Sequence, residues 1–71
     1  MIVTGYKIIM NNNSVYDYDT VQEPSRFLKW VNSQQFIEGC KRLTDNDKTE
    51  ELTVFLSTKN ISEIIPCGYR Y

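Results

Sequence analysis

The chain has 71 residues, with 8 basic and 9 acidic side chains and a formal charge of −1. That length allows one small domain, residues 1–71, and leaves little material for a deep, rigidly supported catalytic cleft. The near-neutral charge excludes a strongly basic funnel for nucleic acid, and the balance is not that of a disordered acidic chain.

Residues 2–10 alternate as a strand, with Ile2, Thr4, Tyr6, Ile8 and Met10 on the face expected to look inward. Gly5 inside that run signals a bulge or a close backbone approach. Asn11-Asn12-Asn13-Ser14 reads as a turn, because asparagine tolerates left-handed backbone angles and bonds its own chain. Residues 15–21 return as a second strand. Its Tyr16 and Tyr18 face is expected inward or at a contact, and Asp17 and Asp19 face water.

Pro24 opens a short helix, expected over residues 24–33, since proline is favoured in the first turn. Phe27, Leu28, Trp30 and Val31 form its apolar face, and Arg26, Lys29 and Asn32 its wet one. Residues 35–43 fit two structures. Phe36, Ile37 and Cys40 can prolong the helix, or Ile37, Gly39, Lys41 and Leu43 can share one side of a strand. Gly39 argues against a helix interior, so the strand is preferred.

Residues 44–49 are expected to form a solvated hairpin loop, and residues 51–58 the next strand. After a corner at Lys59-Asn60, a last short strand over residues 61–65 is expected to end at Pro66. Residues 66–71 then form a tail, either flexible or added as an edge strand. The reading is an α+β fold in the order strand, strand, helix, strand, strand, strand. Either a small antiparallel sheet or an open barrel of the SH3 or Sm-like kind accommodates it.

Chemistry-bearing clusters are few. Asp45, Asp47, Glu50 and Glu51 resemble a calcium loop in composition, but the central glycine is missing and the flanks are strand-like. Cys40 and Cys67 are too few for a zinc site, and with no histidine in the chain neither has an imidazole base. Both are expected to be small buried side chains in the reduced state. No catalytic, metal or cofactor site is therefore expected, and the chain is read as not an enzyme.

The opening residues lack a basic lead and a long apolar core, and no apolar run is long enough for a membrane span. The expected setting is cytoplasmic. Isoleucine, asparagine, lysine and tyrosine are plentiful and alanine is absent, a composition expected of a low-GC bacterium or one of its phages.

Tyr16, Tyr18, Lys41, Arg42, Tyr69, Arg70 and Tyr71 make the candidate contact surface. Tyrosine and arginine are enriched at protein interfaces, and tyrosines beside cations also stack nucleobases. The first expectation is a small binding or assembly module whose partner is another protein or a second copy of itself. The second is a binder of single-stranded RNA or DNA through the tyrosine face.

Residues 52–64, and chiefly Asn60-Ile61-Ser62-Glu63-Ile64, resemble the second conserved segment of Sm-like proteins: a strand, a turn with asparagine before isoleucine, and a last strand. The chain departs from that family in placing its helix mid-chain and in carrying Lys59 where the family has glycine. No RNA-contacting residue is carried over.

Overall fold

The computed structural model describes residues 2–70. The side chains of Arg42, Thr44, Asp45, Tyr69 and Arg70 lie outside that description. Among the described residues the chain runs through β1 (Ile2–Met10), β2 (Val15–Asp19), α1 (Pro24–Ser33), β3 (Phe36–Asp45), β4 (Lys48–Ser57), a 3-10 turn (Thr58–Asn60) and β5 (Ile61–Arg70). The strands form one open sheet in the order β4-β3-β2-β1-β5, and every neighbouring pair is antiparallel. The architecture is a small α+β fold.

Local chemistry explains each turn. Asn13 takes φ 70°, and Asn12 Oδ1 accepts the Ser14 N–H at 3.1 Å, which folds β1 back into β2. The β3–β4 connection is tighter than the expected loop. Asp45 pairs with Lys48, and only Asn46 (φ 48°) and Asp47 (φ 65°) lie between them. Two consecutive left-handed residues match the right-handed twist of the strands they join.

The helix has the expected bounds. Its first backbone bond runs from the Phe27 N–H to the Glu23 carbonyl at 2.9 Å, and Pro24 sits where no N–H is needed. Phe27 and Val31 are buried, Trp30 is half-buried, and Leu28 is left exposed at the margin.

Residues 36–45 are a strand, with Ile37 and Gly39 buried on the side that also carries Lys41 and Leu43. A Cβ at Gly39 would stand 2.7 Å from Leu56 Cδ1 and 3.2 Å from Tyr16 Cβ, so glycine is what lets β2 and β4 side chains close over β3. Gly5 is a site of ordinary close approach. The ladder bulges elsewhere, between Ile9 and Met10, opposite Ser62. The Ser62 hydroxyl donates back to the Ile9 carbonyl at 3.1 Å.

The strands expected over residues 35–43 and 51–58 span Phe36–Asp45 and Lys48–Ser57, and the bounds of β2 and β5 are corrected as well. β2 stops at Asp19 rather than at residue 21, as the chain leaves to reach the helix. β5 does not end at Pro66 but runs on to Arg70. The Asn11 N–H reaches the Asn60 carbonyl at 2.8 Å, so the odd-numbered residues of β1 bond to β5. Their partners are Glu63, Ile65, Cys67 and Tyr69. Pro66 opposes Tyr6, and its nitrogen turns to the other edge, so no ladder bond is lost.

The core lies between the sheet and the helix: Tyr6, Ile8, Met10, Phe27, Val31, Ile37 and Leu56. The Tyr6 ring stacks on Phe27 at 4.0 Å, and Tyr18 and Trp30 tilt against Phe27 at 5.3 and 6.0 Å. Such pairs contribute roughly 0.5–1.5 kcal/mol each beyond the area they bury.

β4 and β5 lie at opposite ends of the sheet order, yet only Thr58–Asn60 separates them. Four strand spacings in a flat sheet span roughly 19 Å. A single 3-10 turn advances only about 2 Å per residue. The sheet must therefore curl, and it does so around this core.

Candidate interaction surface

The sequence-derived contact residues separate. Tyr16 and Tyr18 are half-buried and packed against the core cluster. Tyr18 contacts both Phe27 and Trp30 under the helix. Lys41 is exposed on β3 opposite Leu52. The backbone of Arg42 follows it, opposite Glu51, while that of Tyr69 and Arg70 lies on β5 opposite Val3 and Ile2. The side chains of Arg42, Tyr69 and Arg70, and all of Tyr71, lie outside the described residues. Lys41 follows Cys40, which pairs with the middle of β2, whereas Tyr69 and Arg70 border the start of β1. The ladders thus set the two groups toward different ends of the sheet.

The outer sheet face has its own order. Lys7 and Asp17 are cross-strand partners, and Lys7 Nζ lies 2.9 Å from Asp17 Oδ1. Cys40 neighbours Asp17, and Cys67 pairs opposite Gly5. Both thiols are unbridged and half-exposed, not buried as expected. The registers explain this, because they put both cysteines on the face away from the helix. Among the described residues no three His, Cys, Asp or Glu side chains are gathered to hold a metal ion. No helix among them is long and apolar enough to cross a membrane.

Tyr6 titrates away from its ordinary value. Burial raises its phenol above the usual tyrosine value, and the charge of Glu23 adds to the rise. Its hydroxyl donates to the Gln22 carbonyl at 2.5 Å, tying β1 to the segment that enters the helix. This is a structural bond.

The surface that sequence reasoning missed is aromatic. Phe55 is 72% exposed and Phe36 58% exposed. Phe36 opposes Ser57, and Phe55 opposes Glu38, so the two rings are diagonal neighbours on one outward face. Diagonal positions of an antiparallel pair are within reach of aromatic side chains. A shallow cavity of about 320 Å³ beside Phe36 is lined also by Gln34, Gln35, Ser57, Thr58 and Lys59. The signal was present in the sequence: Leu52, Val54 and Leu56 alternate inward, which sends Phe55 out with Thr53 and Ser57.

The chain matches no family model, no curated protein and no solved structure.

Proposed function

We propose that this chain is a small binding or assembly module that works through protein contacts and performs no chemistry of its own. The observation that carries the reading is the outward pair Phe36 and Phe55 beside β4, an edge strand of the open sheet. Large apolar groups set on an exposed sheet margin gain most from a protein partner. The curled sheet, with a 3-10 turn leading into a β5 that returns to β1, is in keeping with a small barrel of the SH3 or Sm-like kind. A phage or low-GC bacterial source is proposed on composition, and a cytoplasmic setting on the two unbridged thiols.

The rival reading is a binder of single-stranded RNA or DNA. It needs tyrosine rings open to bases, and Tyr16 and Tyr18 spend much of their surface on the core. Oligonucleotide binding titrated from low to high salt separates the two readings. The expected result is no binding at low salt. A complex that weakens steeply as salt rises would transfer the function to nucleic acid. The complementary measurement is cross-linked partner capture by the wild-type chain and by Phe55→Ser, which should lose whatever the wild type holds through this face.

A further inference from the structure

We propose that the outer edge of β4 is a self-recognition strand, to which a second copy of this chain adds its own β4 antiparallel about a twofold axis at Val54. The inference rests on the assembly reading and names the partner.

The two edges of the sheet are built differently. On β5 the edge turned away from β1 carries Pro66, which offers no N–H, and Gly68, whose φ of 70° breaks the extended course. The bulge opposite Ser62 disturbs its start. Proline, bulges and kinks are the devices that stop a strand edge from acquiring a neighbour. On β4, Leu52-Thr53-Val54-Phe55-Leu56 contains no proline, glycine or charge, and its middle three residues favour strands. Edge protection on one side only marks the other side as the one meant to pair.

Backbone parity says which groups point outward. The Thr58 N–H reaches the Gln35 carbonyl at 3.0 Å, and Asp45 and Lys48 close the hairpin. Even-numbered residues of β4 therefore bond to β3, and Thr53 and Phe55 turn their N–H and C=O to the open edge.

Side chains then select the register. A twofold at Thr53 would set Leu56 against Glu50 of the partner copy. A twofold at Phe55 would push the pairing into Thr58, where the chain already bends into the 3-10 turn. At Val54, Leu52 meets Leu56 of the partner copy, Val54 meets its own equivalent, and Thr53 exchanges paired hydrogen bonds with Phe55 of the partner copy. The inner apolar row continues from one sheet into the next, as an isologous contact requires.

Size exclusion with light scattering, run on the full chain from low to high micromolar, should show a monomer passing to a dimer. Thr53→Pro removes an outward donor without touching the β3–β4 ladder, and Thr53→Lys charges the same edge. Both should weaken the dimer about tenfold or more, and circular dichroism should show an unchanged fold for at least the lysine variant. The axis is read by oxidising single cysteines at 53, 54 and 55 in a Cys40→Ser, Cys67→Ser background. Val54→Cys should cross-link best, since a non-hydrogen-bonded antiparallel pair holds its Cα atoms about 4.5 Å apart, within disulfide range. Faster cross-linking of Thr53→Cys or Phe55→Cys would overturn the Val54 axis. A dimer unaffected by a folded Thr53→Lys chain, or a monomer at every concentration, would overturn the proposal itself. A monomer that still captures another protein through Phe55 would leave the assembly reading standing.

Discussion

Tyr6 shows how one side chain joins several parts of the molecule. Its ring is buried against Phe27, and its hydroxyl reaches the carbonyl of Gln22. Tyr6→Phe keeps the stack and removes the bond, and it leaves that carbonyl to water or to no partner. The expected cost is about 1 kcal/mol, which thermal denaturation would register as a drop of roughly 4–8 °C for a domain of this size. Because the phenol titrates above its unfolded value of 10.0, the folded chain holds this proton more tightly than the unfolded chain does. The associated stability is complete below pH 10 and is lost as pH climbs through the raised folded value. Denaturant melts between neutral and strongly alkaline pH should therefore fall more steeply for the wild type than for Tyr6→Phe. Equal slopes would remove Tyr6 as the cause.

Among the elements, the β3–β4 hairpin is set by its two-residue turn. Asn46 and Asp47 both occupy left-handed space, and glycine is preferred at the second of these positions. Asp47→Gly should raise stability, because relief of a left-handed cost of roughly 1–2 kcal/mol outweighs the roughly 0.4–1 kcal/mol by which glycine's added freedom favours the unfolded chain. Chemical denaturation measures this, and a midpoint below the wild type would refute the assignment of strain to Asp47. Helix α1 and strand β1 could be read from spacing alone, because Phe27, Val31 and Pro24, like Tyr6, Ile8 and Met10, carry the period of their element in adjacent turns or alternate positions. The end of β5 could not. A proline ends a strand or is passed over according to which edge its nitrogen faces, and that depends on pairing with a segment some sixty residues away.

At the scale of the whole molecule, the radius of gyration is 12.7 Å, against about 11 Å for a compact chain of this length. The excess has a visible source. β3 and β4 are each ten residues long, β2 is five, and the far part of the long hairpin carries Leu43 and Leu52 exposed at 41% and 43%. Even so, one core cluster holds β1, α1, β3 and β4 together, with Tyr16 and Tyr18 of β2 and Ile61 and Ile64 of β5 packed on it. Unfolding should therefore be a single cooperative event. Trp30, the one tryptophan in the chain, touches Tyr18 and Phe27 in that cluster. Its fluorescence and the far-ultraviolet circular dichroism should melt at the same temperature. A separate earlier transition in circular dichroism would mean that the long hairpin opens on its own.

The apolar alternation in β1 and β4 and the helical spacing after Pro24 indicate which side of each of these elements turns inward, because those periods are local properties of backbone geometry. The same alternation places Phe55 among polar neighbours and so exposes it. Which strand lies beside which is not local. The placement of β5 on β1, the absorption of Tyr16 and Tyr18 into the core cluster, and the exposure of the β4 edge all follow from how the sheet curls around Phe27 and Tyr6. Those contacts join residues far apart in the chain, so no short window of sequence contains them.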